Sequence, residues 1–290
     1  MKRIYIICST IVFLILLIIS QTAEAQTYFK VDIAGKGKPM ILIHGLYCSA
    51  EVWKETVDHY KDKYECHVLT LAGFGGNAPA LKDNFLEAVK DDLIDYVKNK
   101  KLSKPVIIGH SMGGFISLWA AASAPDLFGK VISVDGPAFL AALQMPTATS
   151  ESAKGMATQI KNGMANQTPE QVLTNQKAYL PTMIASKERI DQVAAIAVKG
   201  DVKTQAEVMY ELFTVDLREV IANINAPVLM LGAWIAYKEY GATHDSVLKA
   251  YESQLAKVKN AKVEITDTAK HFIFYDDSVW FFEKTDAFLK

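Results

Sequence analysis

Lys104 to Leu118 reads KPVIIGHSMGGFISL, and the fold follows from how this stretch is read. Val106, Ile107 and Ile108 form a short β-branched apolar run of the kind that makes a buried strand. Phe115 to Ala122 is a nearly unbroken apolar run of the kind that makes a buried helix. Between them stands Gly109-His110-Ser111-Met112-Gly113, so the order is strand, sharp turn, helix. A G-x-S-x-G turn puts its serine at a strained tip, and the two glycines are needed because strand and helix pass too close there for a β-carbon. The hydroxyl of Ser111 is thereby pushed out beyond the sheet. The bare pattern also occurs by chance in loops, and the flanking strand and helix give it chemical meaning.

Outward from this turn, strands and helices alternate. Phe29 to Ile33, the turn residues Gly35-Lys36-Gly37 and Met40 to Ile43 read as a hairpin that ends in His44-Gly45. A helix from Ser49 to Tyr60, a strand from Cys66 to Leu71 and a glycine-rich loop at Gly73-Phe74-Gly75-Gly76 follow. Phe85, Val89, Leu93 and Val97 recur every four residues, one face of an amphipathic helix. Val131 to Val134 gives the next strand. Strands alternating with helices predict a parallel sheet covered on both faces. The alternation stops at Pro137, and from Ala138 to Asn223 only helices are predicted. Thr168-Pro169-Glu170-Gln171 reads as a capping box, and Thr204 with Glu207 as a second one. Strand Val228 to Leu231, a helix near Ser246 to Lys257, strand Lys262 to Thr266 and a helix from Ser278 complete the pattern.

The chain start reads as an export signal. Lys2 and Arg3 precede an apolar run from Ile4 to Ile19, followed by the small-x-small triplet Ala23-Glu24-Ala25. As a helix at about 1.5 Å per residue the run reaches roughly 24 Å, short of the ~30 Å hydrocarbon core. A signal peptide over 1–25, cut after Ala25, is therefore expected, and with it a periplasmic or secreted protein without a stable membrane span, the alternative being a segment retained as an uncleaved anchor. Lys plus Arg number 31 and Asp plus Glu 32, so a net charge of -1 offers no reason to bind nucleic acid or anionic lipid. Cys48 and Cys66 remain after removal of the signal. They are expected at opposite ends of neighbouring strands, beyond the ~7 Å α-carbon separation a bridge tolerates, so two buried free thiols are predicted. Two cysteines and scattered histidines fit no metal spacing, and no cofactor motif is read.

With its GHSMGG elbow, the chain resembles the ester-hydrolysing branch of the α/β-hydrolase family, over essentially all of the mature sequence. The resemblance implies an α/β fold, a mostly parallel central sheet flanked by helices with an inserted helical cap. The expected organisation is core over 26–137, cap over 138–222 and core over 223–290. It also implies that Ser111 is the nucleophile of an acyl transfer to water.

A serine hydroxyl needs a base to take its proton, and active groups in open parallel sheets gather at the carboxyl ends of strands. Of six histidines, His59 lies on a charged helix face, His67 at the wrong end of its strand, and His110 inside the elbow. His271 follows the last strand by five residues, where the family carries its base, and keeps the order Ser, acid, His. His244 is its rival. Relatives commonly have glycine before this histidine, whereas this chain has Lys270. Most relatives place the acid a few residues after the strand equivalent to Val228 to Leu231. Here Gly232 to Glu239 contains no aspartate. Asp135, at the end of the strand after the elbow, is the favoured acid. Glu239 is the alternative, with Asp267 also open.

The amide of Met112 and that of Leu46, in the His44-Gly45-Leu46 loop, are the expected oxyanion donors. Serine at the elbow separates this chain from the aspartate-using epoxide and halide chemistry of the fold. A small to medium carboxylic ester is the expected substrate. Thioesterase, lipase, carbon-carbon bond hydrolase, acyltransferase, cofactor-free haloperoxidase and ligand capture on a hydrolase scaffold are the alternatives. Met145, Met156, Met164, Met183 and Met209, with Phe139, Tyr179, Tyr210 and Phe213, are candidates for an acyl pocket or, more simply, for packing between cap helices.

Overall fold

A computed structural model describes residues 27–80 and 82–290. The segment read as a signal peptide lies outside them. Seven strands form one sheet: β1 (Phe29–Gly35), β2 (Lys38–Ile43), β3 (Tyr64–Leu71), β4 (Val106–His110), β5 (Lys130–Val134), β6 (Val228–Ala233) and β7 (Ala261–Thr266). Their order is β1-β3-β2-β4-β5-β6-β7, with β1 antiparallel and every other pairing parallel. The expected α/β class with a mostly parallel sheet is what the chain adopts.

The hairpin expected between β1 and β2 does not form. β1 pairs with β3 from Phe29↔Leu71 to Gly35↔Glu65, so Gly35-Lys36-Gly37 carries the chain across the start of β3. A β-carbon on Gly35 would sit 2.4 Å from the Lys61 carbonyl, so this crossing is open only to glycine. The turn residues were legible, but the partner of β1 is set by a strand about thirty residues away.

The apolar strands are buried on both faces, with period-two alternation dividing them. Ile41, Ile43, Ile107, Val131 and Met230 face one core, which α2 (Phe85–Asn99) and α3 (Met112–Ser123) cover. Met40, Leu42, Ile108, Ile132 and Leu231 face the other. That second core is closed by Val57 of α1 (Lys54–Tyr60), by Phe274 of α10 (Ile273–Asp276) and by Phe281 of α11 (Ser278–Leu289). Each fully buried Ile or Leu contributes about 1.5–3 kcal/mol by leaving water, so this alternation supplies most of the driving force for the sheet.

Between β5 and β6 lie α4 (Ala141–Gln144), α5 (Ser150–Met164), α6 (Pro169–Met183), α7 (Lys187–Ala197) and α8 (Val202–Thr214). The Thr168 capping box is present: its side chain accepts from the Gln171 amide and Gln171 answers to the Thr168 amide. The second expected box is absent. Asp201 is the N-cap of α8, its carboxylate taking the Thr204 amide and hydroxyl, while Glu207 pairs with Lys161. The helix begins at Val202, so Glu207 lies beyond its first orphan amides and Thr204 is itself the residue being capped. Phe139 and Phe213 are buried together, with Met156, Met209 and Tyr210 packed on them, so these five serve packing between helices.

Besides the burial of Val208 and Leu212 in the main core, one polar side chain of α8 ties it to α2. Asn84, at the N-cap of α2 with φ 61°, gives no side-chain cap. The carboxylate of Glu211 replaces it, accepting from the amides of Phe85 at 2.6 Å and Leu86 at 2.9 Å. Burial raises the Glu211 carboxyl to about 7 although both amides favour its charged form. The folded state therefore holds a proton that the unfolded chain, titrating near 4.5, has released. The stabilisation is complete below the unfolded value and is lost as pH rises through about 7. Between pH 5 and 8, denaturant unfolding is expected to show wild type losing up to ~3 kcal/mol relative to Glu211→Gln. An identical pH slope in both proteins contradicts this account.

Candidate active site

The site begins at the end of β4. The backbone of Ser111 has φ 52° and ψ −115°, a strained conformation for a residue with a side chain. Its amide donates to the Val134 carbonyl at 2.8 Å and its carbonyl accepts from the Phe115 amide at 3.0 Å, which fixes the turn from both sides. The close approach predicted for the flanking glycines is real. A β-carbon on Gly109 would lie 2.0 Å from the Gly113 carbonyl oxygen, and one on Gly113 2.2 Å from that of Ile43. Both obstacles are backbone and cannot move aside. Met112 is the first residue of α3, so its amide has no carbonyl one turn earlier within the helix to bond.

The loop after β2 stands against this turn. The position of a Gly45 β-carbon is 3.3 Å from that of Ser111. His44 fastens the loop: Nδ1 donates to the Gly45 carbonyl at 2.8 Å, and Nε2 accepts from the Leu71 amide at 3.1 Å. Burial pulls this imidazole down to about 4, so it stays neutral and keeps that tautomer. Tyr47 has φ 64°, and Cys48 closes the turn by donating its amide to Gly45 at 3.2 Å. Leu46 lies inside this bend. Cys48 and Cys66 are buried free thiols, and burial raises both, Cys66 to about 11. Neither is disposed to act as a nucleophile.

His271 follows β7 by five residues and directs Nδ1 at Oδ2 of Asp135, 2.6 Å away. A carboxylate can only accept, so the proton resides on Nδ1 and the Nε2 lone pair is left available. Asp135 directly follows β5, has φ 50°, and its side chain is wholly buried. Its amide donates to Leu231 at 2.6 Å. The elbow histidine supports the same loop. His110 donates Nε2–H to the His271 carbonyl at 3.2 Å, and the two rings lie 4.5 Å apart. Burial holds His110 well below the ordinary histidine range, so it adds no charge beside His271.

The other candidates lie elsewhere. Glu239 is exposed on the 3-10 turn Ile235–Tyr240 and does not fold back, while Asp135 already occupies Nδ1 of His271. Asp267 is exposed and accepts from the Trp234 indole at 2.9 Å. His244 is half-buried in the first turn of α9 (His244–Leu255), next to Asp245. His59 pairs with Asp286, and His67 contacts Glu65 and Tyr96. Among the described residues, no group of three or more His, Cys, Asp or Glu side chains is arranged to hold a metal ion.

The arrangement is that of a serine-bearing turn, a histidine oriented by a buried carboxylate, and a second amide-rich loop alongside. A family model described as alpha/beta hydrolase fold matches residues 38–278. A pimeloyl-[acyl-carrier protein] methyl ester esterase of Aliivibrio salmonicida is 24% identical over 258 residues, covering 88% of this chain and 94% of that protein. Among solved structures, a bromoperoxidase from Bacillus anthracis superposes with a TM-score of 0.75 at 18% identity, covering 92% of this chain and 97% of that one. An enol-lactonase from Burkholderia xenovorans does so with 0.71 at 18% identity, covering 90% and 96%.

Proposed function

We propose that this chain, which belongs to the alpha/beta hydrolase fold family, is an exported serine hydrolase of small to medium carboxylic esters. The observation that carries the reading is the 2.6 Å hydrogen bond from His271 to the buried Asp135, one residue past the Val134 carbonyl that takes the amide of Ser111, a serine held at positive φ. His271 takes the Ser111 proton through Nε2 as Oγ attacks the ester carbonyl, and Asp135 stabilises the imidazolium that forms. The tetrahedral oxyanion is received by the amides of Met112 and Leu46. Collapse expels the alcohol, which takes its proton from His271, and leaves an acyl-Ser111. Water, activated by the same imidazole, then attacks the acyl-enzyme and restores the serine.

The end of α6 stands against the loop that carries His271, the Phe272 amide donating to the Met183 carbonyl at 3.3 Å. The test is a panel of para-nitrophenyl esters from acetate to palmitate, with methyl esters added because the Aliivibrio salmonicida relative is named for one. Turnover is expected to peak at a short or medium acyl chain. No turnover on any ester contradicts the ester assignment, and a flat response contradicts the preference for a short or medium acyl group. Export rests on the basic and apolar pattern at 1–25, and a secreted product whose mass begins at Gln26 is its signature.

A further inference from the structure

The carboxylate of Asp135 receives donors on both oxygens. Oδ2 accepts from His271, while Oδ1 accepts from the Ala233 amide at 3.0 Å and from the Tyr251 hydroxyl at 2.8 Å. Tyr251 belongs to α9 and is 1% exposed, so its hydroxyl has no bulk water to bond instead. The ring reaches the acid by lying across β6. A β-carbon on Gly232 would stand 2.8 Å from Cε2 of Tyr251 and 2.9 Å from Cδ2, so the glycine leaves the slot that the ring fills. Burial and the neighbouring Asp135 charge raise the phenols of both Tyr251 and Tyr237 far above their ordinary range, which keeps them protonated donors.

We propose that Tyr251 is a positioning residue: its hydrogen bond to Oδ1 fixes the Asp135 carboxylate toward His271 and sets how strongly that carboxylate supports the imidazolium. The inference rests on the serine-hydrolase reading. A carboxylate that shares its charge with a neutral donor has less to offer the imidazole. Loss of the phenol hydrogen concentrates charge on Oδ2, makes His271 more basic, and frees the carboxylate to turn. The groups facing the His271–Asp135 pair are Tyr251 on α9, Tyr237 on the 3-10 turn after β6 and the neutral His110 at the end of β4.

Tyr251→Phe keeps the ring in its slot and removes only the hydroxyl. In a Ser111→Ala background, where no turnover is required, the NMR titration of the His271 imidazole is expected to move to higher pH by about half a unit or more. With Ser111 intact, kcat on para-nitrophenyl butyrate falls about tenfold at unchanged KM, and the acidic limb of the pH profile moves with the titration. Replacement of Tyr251 by 3-fluorotyrosine, a stronger donor of the same shape, moves the titration the opposite way and serves if the phenylalanine variant does not fold. An imidazole titration that stays in place, whatever happens to Tm, overturns the positioning role. A titration that moves in a protein whose wild type hydrolyses no ester overturns the hydrolase reading and leaves the coupling standing.

Discussion

Asp135→Asn lowers turnover by about four orders of magnitude, whereas Glu239→Gln leaves it unchanged. The asymmetry follows from what each side chain touches. Asp135 is buried, accepts Nδ1–H of His271 at 2.6 Å, and is held by two further donors on its other oxygen. An asparagine there can present its NH₂ group to Nδ1, which favours the wrong tautomer and leaves the developing imidazolium without a counter-charge. Glu239 stands exposed on the 3-10 turn and supports nothing in the site. Steady-state kinetics of the two variants, with circular dichroism as the folding control, measures the difference. Equal, mild losses contradict the assignment of the acid.

Ser111→Ala abolishes hydrolysis, by about six orders of magnitude, while Tm stays near that of wild type. The fold does not depend on the hydroxyl, because the backbone amide and carbonyl of residue 111 make the bonds that hold the turn. Alanine retains these bonds and accepts the same backbone with the same strain, since both residues carry a β-carbon at φ 52°. Retention of more than a trace of activity at a constant fold contradicts the nucleophile.

What was legible in the sequence is local. The strand-turn-helix around Ser111 declares itself through β-branched residues, two glycines and an apolar helix within fifteen residues, and those glycines are where the backbone comes closest. His271 follows from chain order and its place after the last strand. The acid of the proposed triad was only half legible, because Asp135 and Glu239 both follow strands at the correct end of the sheet. What separates them is burial and a contact across 136 residues of chain. The β1 to β2 hairpin was misread because turn chemistry reports that the chain bends and is silent about which strand it then pairs with. Glu211 capping α2 and Tyr251 bonded to Asp135 are likewise side-chain contacts over 126 and 116 residues. One signal for Tyr251 was present: Gly232 in an otherwise apolar strand marks the close approach of another group.

The central claim is that Ser111 is an activated nucleophile. Intact-mass analysis of the purified protein before and after a fluorophosphonate probe tests it most directly. The account predicts a single phosphonyl adduct, mapped to Ser111 by peptide sequencing, that is absent from Ser111→Ala and formed far more slowly by Asp135→Asn. A folded wild-type protein that stays unlabelled, or that is labelled equally well without Ser111, contradicts it.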